Sequence, residues 1–390
     1  MRNKAHLSDL NVLFVCPSRN WGTVERKVLQ DALYLRNSGS NTRIYCLKNS
    51  PLALEALNEA LNVQYYEKGE IKSDFDLSYF LDLRTLINSK SFDVVHCYGL
   101  EFIWPLCVVL KKYPLTPLFL TINKMPIKNY KTFWYKILAT RIDSLISFDE
   151  FLMDVIKANL PIKQTRLHFL GTGVDTIYQG NGEKRDEEYW KVGCYIPQPI
   201  KQISEIVPIF NSIRALFYDN KNNQQDHAVL ILFTDCHWNQ HHLNKELRGL
   251  IVDMGLENYI RLENKLRPLK DLSTLDIFLG IESSEPFYDY EINALIHRIP
   301  IVVPRTSSRE SLLGVKNIMG ETYKLKDSRE MMVKMKKIMT RYESYSKNIH
   351  HKFNNLRDGH SLELYAEELF GLYEKLIIWR QRLNAKRLNK

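Results

Sequence analysis

Short apolar runs of strand length recur along the first half of the chain, with helix-period segments between them. NVLFVC from Asn11, RIYCL from Arg43, DVVHCY from Asp93, LFLTI from Leu118, SLISF from Ser144 and RLHFL from Arg166 are each five or six residues long, the size of a buried strand. Between the first two lies VERKVLQDALYLRN, where Val24, Val28, Leu29, Ala32, Leu33 and Leu35 share one face at the helical period. Strand then helix, repeated, predicts a parallel sheet covered on both sides. The alternation breaks at DTIYQGNGEKRDEEYW, 175–190, which is polar, charged and aperiodic. It resumes with KVGCYI, AVLILF, YIRLE, DIFLGI and IPIVVP, and from Ser328 onward the pattern is helical. The expected architecture is α/β: two doubly wound Rossmann-like domains, 1–175 and 176–390, with a helical C-terminal tail. The strongest amphipathic segment, SLELYAEELFGLYEKLIIWRQRL, forms the final helix and is expected to pack back toward the first domain.

Composition agrees with this picture. A chain of 390 residues suits two cores rather than one, and 45% hydrophobic with 25% charged residues is ordinary for a globular protein. The basic start is followed by a strand-sized apolar run without a small-residue cleavage site, so no signal peptide is expected. No run approaches the ~18 apolar residues of a membrane-spanning helix. The six cysteines show no C-x-x-C spacing and fall mostly in or beside predicted strands. They are expected to be reduced thiols in a cytoplasmic protein.

The net charge of +9 points to an acidic partner: nucleic acid, anionic lipid or a phosphorylated small molecule. Basic residues concentrate between Lys124 and Arg141, interleaved with Tyr130, Phe133, Trp134 and Tyr135, and again in the tail from Lys375. A solvated helix face explains either segment as well as a binding surface does. No P-loop, G-x-S-x-G, H-E-x-x-H or nucleic-acid motif is present, so the charge is assigned to a phosphorylated ligand and a membrane surface, not to nucleic acid.

Open parallel sheets bind ligands beyond the carboxyl ends of their strands, and the unusual residues collect at those positions. SRNWGT follows the first strand, Asn123 and Lys124 follow LFLTI, Cys194 to Gln198 follow KVG, Cys236 and His237 follow AVLILFTD, and Glu282 to Glu285 follow DIFLG. Two such edges facing one another would form a deep cleft. CHWNQHH, from Cys236, has metal-ligand residue types without the spacing of an ordinary site, so no metal is expected. His96 and His168, inside apolar runs, read as hydrogen-bonded core residues.

The order of these segments resembles glycosyltransferase family 4, the retaining sugar transferases of GT-B fold that use nucleotide-sugar donors. NWGTVERKV is similar to the family's Trp-Gly-Gly-x-Glu loop and helix, FDVVHCYG to its Asp-Val-Val-His strand, and FLGTGVDT to its Asn-Gly-Val-Asp turn. SSEPFYDYEINALIHRIPIVVPRTSSRESL is similar to its Glu-Pro-Phe-Gly, Glu-Ala-Met and Pro-Val-Val stretch. The resemblance implies that Gly22, with Thr23 beside it, lets the backbone approach a donor diphosphate at the unpaired N–H groups of a helix start. Read without the family, the same residues are a strand-to-helix turn. It implies that Glu285 orients the transferred sugar; read alone, Glu285 is a helix N-terminal acid next to Pro286.

The departures from the family pattern are specific. Asn293 stands where a second glutamate would accept ribose hydroxyls, Asn123 replaces a histidine, and Thr23 replaces the loop's second glycine. After Gly193, the expected arginine and lysine are Cys194 and Pro199. Lys201, Arg267, Lys124 and Arg309 are the cations near predicted strand ends that would substitute for them. The implied activity is transfer of a UDP- or GDP-linked sugar, without cofactor or metal, to an envelope glycan or glycolipid at the cytoplasmic face of an anionic membrane. Two alternatives remain: a catalytically degenerate GT-B protein serving as binding subunit or partner of an active glycosyltransferase, and a sugar-nucleotide epimerase of the same shape.

Overall fold

The computed structural model describes residues 10–123, 126, 130–174, 189–196, 206–218, 227–234, 241–263, 271–281, 289–314 and 318–388. The chain forms two compact units, Met1–Gly173 with Glu363–Lys390, and Val174–Leu362. The first passage between units thus falls two residues before the boundary expected at 175/176. The final helix, placed by sequence within 176–390, is grouped with the first unit.

The first unit holds β1 (Asn11–Val15), β2 (Asn41–Leu47), β3 (Asn62–Tyr66), β4 (Val94–Tyr98), β5 (Leu118–Thr121), β6 (Ser144–Ser147) and β7 (Leu167–Phe169). They pair in the order β3-β2-β1-β4-β5-β6-β7, every ladder parallel. The helices between them are α1 (Thr23–Asn37), α2 (Pro51–Asn58), α3 (Leu77–Ser89), α4 (Ile103–Val109), α5 (Phe133–Ala139) and α6 (Glu150–Asn159). Strand order reverses between β1 and β4, the topological switch point. β4 is buried at all five positions, as a central parallel strand covered on both faces must be.

The second unit holds β8 (Tyr189–Ile196), β9 (His227–Thr234), β10 (Ile260–Glu263), β11 (Ile277–Leu279), β12 (Ile301–Pro304) and β13 (Gly320–Tyr323), in the parallel order β10-β9-β8-β11-β12-β13. Its helices are α7 (Val207–Tyr218), α8 (His241–Asp253), α9 (Asp289–Ile296), α10 (Ser307–Leu313), α11 (Ser328–Thr340) and α12 (Tyr342–His360). Here the switch point lies between β8 and β11. Both units therefore have the doubly wound Rossmann-like topology expected from the alternating pattern.

The last helix, α13 (Leu362–Leu388), buries Tyr365, Ala366, Leu369, Phe370 and Tyr373, one stripe at helical spacing. Its polar tips reach the buried side of the first unit. Tyr373 Oη lies 2.6 Å from His96 Nδ1, and His96 Nε2 lies 2.7 Å from Thr121 Oγ1. Tyr365 donates to Asp31 at 2.8 Å, Tyr98 donates to the same carboxylate oxygen, and Arg380 donates to Asp143. Lys27, buried with Asp31, pairs with it at 3.3 Å and lies 3.3 Å over the Tyr365 ring. Burial pushes the Asp31 carboxyl up and outweighs the opposing pull of Lys27, Tyr98 and Tyr365. Burial also holds His96 well below its ordinary value, so it is a neutral, doubly bonded core residue, as its apolar context predicts. His168 departs from that expectation, because β7 is only partly covered and leaves it half-buried.

Gly173 closes the first unit in a left-handed conformation, φ +62°. A Cβ there would stand 2.6 Å from Lys27 Nζ and 2.7 Å from the Tyr365 ring, so both dihedral and space require glycine. In the second unit Val174 forms a parallel bridge with Ser361, its N–H donating to His360 O at 2.8 Å while Leu362 N–H donates to Val174 O at 2.9 Å. The five cysteines among the described residues are free and buried, and no helix among them is long and apolar enough to cross a membrane.

Candidate functional site

At the carboxyl edge of the first sheet, the chain leaves β1 through Trp21 and enters α1 at Thr23. Gly22 is the N-cap residue, with extended dihedrals of φ −133° and ψ −164° that any residue can adopt. Its N–H donates to Glu25 Oε2 at 2.8 Å, and Glu25 is buried. The sequence led us to expect unpaired N–H groups here. The N-cap amide itself is taken, because the third helical residue folds its carboxylate back onto it, as in a capping box. A diphosphate at this helix end would have to displace Glu25 or meet its charge. Thr23 is buried, and its Oγ1 accepts from Arg26 at 3.4 Å.

Asn123 follows β5 and is buried. Just before it, Ile122 N–H donates to Ile146 O at 3.0 Å, one step past the end of β5. Just beyond the neighbouring β6, Asp149 caps α6. Its Oδ1 accepts from Phe151 N–H at 2.7 Å and Leu152 N–H at 3.3 Å. Sequence reading passed over Asp149, although Ser-Phe-Asp-Glu after an apolar run carries the N-cap signature that would have found it.

In the second unit Gly193 lies inside β8, opposite Phe278 and Ile231 in its two ladders. A Cβ on it would stand 2.1 Å from Leu275 Cδ1. The sequence expectation placed Gly193 at a donor-binding strand end. The structure gives it a packing role, because Leu275 fills the space over its Cα. Cys194 is likewise interior, with burial pushing its thiol up.

After β11 the chain reaches Gly280, then residues 282–288, then α9. Glu285 falls in that segment, outside the described residues; Lys124, Pro199, Lys201, Cys236 and Arg267, in other segments, also lie outside them. Asn293 sits on α9, buried, and its Nδ2 donates to Asp289 O at 2.9 Å, which leaves Oδ1 as its acceptor. Behind the end of β11 lies an ion pair that sequence reading missed. Arg309 Nε donates to Glu291 Oε1 and Oε2 at 3.1 and 3.0 Å, and Nη2 donates to Oε1 at 2.8 Å, with both side chains 0% exposed. Arg309, considered from sequence as a substitute cation for a diphosphate, is thus already neutralised by Glu291. The pair borders Gly280, whose Cβ would approach Glu291 Oε1 to 3.0 Å and whose carbonyl accepts from Tyr323 at 2.9 Å.

The first unit also carries an exposed aromatic surface. Phe133 and Trp134 are 69% and 70% exposed at the start of α5, with Ile137 partly exposed beside Lys136. Tyr135 is held differently: it donates to Asp74 at 2.7 Å and stacks on Phe75 at 5.9 Å. Phe75, Leu77 and Leu81 are themselves exposed, so the apolar surface continues onto α3.

No family model matches the chain, and no curated protein resembles it in sequence. Solved structures do resemble it in fold. A glycosyltransferase from Rickettsia africae superimposes with a TM-score of 0.72 at 14% identity, covering 95% of this chain and 99% of that one. HepE of Anabaena, in complex with UDP and glucose, gives 0.70 at 12% identity over 94% and 99% of the two chains. A Listeria monocytogenes protein solved under the name of a UDP-N-acetylglucosamine 2-epimerase gives 0.62 at 11% identity over 93% and 95%. At these identities the likeness establishes a common fold, that of the GT-B glycosyltransferases, and leaves the reaction to the site.

Proposed function

We propose that this protein is a glycosyltransferase that moves a sugar from a UDP- or GDP-linked donor to an envelope glycan or glycolipid, with retention of configuration and without a metal. The observation that carries the reading is the second unit's switch point. There α9 presents a buried Asn293 whose Oδ1 remains to accept after Nδ2 is used within the helix, in a fold shared with a protein that binds UDP and glucose. In this reading Asn293 accepts from ribose hydroxyls, Glu285 hydrogen-bonds the transferred sugar and orients its anomeric carbon, and Lys201 and Arg267 neutralise the leaving diphosphate. Arg309 takes no part, being paired internally.

Calorimetry in EDTA tests the donor site. UDP or GDP is expected to bind below millimolar concentration with no divalent ion present; absence of binding by either would leave a scaffold as the better account. That second reading, a binding subunit of an active transferase, is favoured by one observation: Gly193 and Cys194 are committed to the interior of β8.

The exposed aromatic surface fits a peripheral membrane contact, with Phe133 and Trp134 entering the interface and Lys131 and Lys136 meeting anionic headgroups. Tyr135, tied to Asp74, anchors the helix instead of inserting. Each basic residue near the surface contributes about 1 kcal/mol, lost at high salt. Sedimentation with anionic vesicles should recover the protein, and Phe133→Ser with Trp134→Ser should abolish recovery. Equal recovery with neutral vesicles would restore a simple solvated face.

A further inference from the structure

The amide of Asn293 is oriented by the helix that carries it. Nδ2 donates to Asp289 O, one turn earlier in α9, at 2.9 Å. Because a carbonyl oxygen only accepts, the amide cannot turn over without setting two acceptors against each other, so Oδ1 is fixed on the other side. The backbone is held as firmly: Asn293 O accepts from His297 N–H at 3.0 Å and lies 2.8 Å from His297 Nδ1. Among the described residues no donor is bonded to Oδ1. Although Asn293 is only 5% exposed, that oxygen stays in reach of solvent. Glu291, two residues earlier, brings no carboxylate to its support, since Arg309 holds both of its oxygens.

What this side chain offers a nucleoside is therefore one neutral acceptor. The two neighbouring hydroxyls of a ribose are matched by a carboxylate, whose charged oxygens accept one each. A site built that way rejects a sugar lacking one hydroxyl, because a charged oxygen is then left unpaired. Asn293 Oδ1 is satisfied by a single hydroxyl, and the absence of the second strands nothing on the protein. We infer that the donor site accepts deoxyribonucleoside diphosphates as well as ribonucleoside diphosphates, a class of donor that includes thymidine-linked sugars. The hydroxyl that Oδ1 takes is the one both pentoses share. This rests on the placement of Asn293 against the donor's pentose in the glycosyltransferase reading, and deepens that reading by naming the donors the site admits.

The test is calorimetry in EDTA with UDP against dUDP and GDP against dGDP, pairs that differ only in the one hydroxyl. For whichever base binds, the wild type should hold the ribose and deoxyribose forms within about threefold of each other. Asn293→Glu supplies a second, charged oxygen and should favour the ribose form by about tenfold or more. Each ratio is taken within one protein, so a loss of folded material cancels from it, and the wild-type ratio decides alone should the variant fail to fold. A wild-type preference for ribose beyond threefold, or a folded Asn293→Glu that keeps the wild-type ratio, would overturn the inference and leave the donor reading intact. A wild type that binds none of the four nucleotides would remove both.

Discussion

Glu291→Ala is expected to destabilise the second unit by about 3–5 kcal/mol, because it removes the bidentate carboxylate partner of a fully buried Arg309 guanidinium. Both members of the pair are 0% exposed and joined through three contacts of 2.8 to 3.1 Å. Glu291 Oε1 lies against Gly280, where a Cβ would meet both it and Val303 Cγ1 at 3.0 Å. The control is Glu291→Leu combined with Arg309→Met, which removes both charges at similar volume and should restore most of the loss. Urea denaturation followed by far-ultraviolet circular dichroism reads both. A loss below about 1 kcal/mol for the single variant would mean that the pair is solvated after all.

The second large effect concerns Glu285. If this residue holds the transferred sugar, Glu285→Gln should lower turnover by ~10²-fold or more with little change in nucleotide affinity, since it removes an orienting charge from the sugar and none from the diphosphate. Asn293→Glu should act in the opposite sense on binding. A carboxylate makes the stronger bond to ribose hydroxyls, while loss of the Nδ2 bond to the Asp289 carbonyl costs about 1 kcal/mol of stability. Donor hydrolysis and nucleotide titration measure both variants without knowledge of the acceptor. A wild type that binds nucleotide but consumes no donor, together with a silent Glu285→Gln, would select the binding-subunit reading.

Most of the fold was legible because most strands are continuous apolar runs and the helices between them keep the 3.6-residue period. The strands passed over fail that rule for identifiable reasons. NVQYY, β3, is an edge strand with a partly covered surface. GETY, β13, is fully buried yet carries Glu321. Burial would raise that carboxyl, but Lys334, Lys337 and Tyr345 all bond to it and hold it below its ordinary value. A polar residue whose partners lie far along the chain looks like surface to any local pattern. The same blindness explains α1: Lys27 and Asp31 break its apolar stripe, yet both are buried because Tyr365 arrives from the other end of the sequence.

The candidate site was legible in outline only. Glycines were read as ligand contacts, whereas Gly193 makes room for Leu275 and Gly22 donates to Glu25. Sequence spacing locates a strand end, but it does not reveal which side chain already occupies the space or the hydrogen bond. Arg309 illustrates the same limit, since its partner Glu291 sits on a separate helix.

The first unit is sewn from both ends of the chain, Met1–Gly173 and Glu363–Lys390, and this has a consequence for synthesis. When Gly173 leaves the ribosome, Asp31, His96 and Asp143 still lack Tyr365, Tyr373 and Arg380. Roughly 190 residues separate Gly173 from the start of that last segment, a delay on the order of 10–40 s at bacterial or eukaryotic elongation rates. The sheet's seven strands are all made by Phe169, but Asp31 and Asp143 must wait through that interval for their last partners while the second unit is synthesised. A premature stop between Leu362 and Tyr365 would therefore release a chain whose second unit is whole and whose first lacks its closing helix.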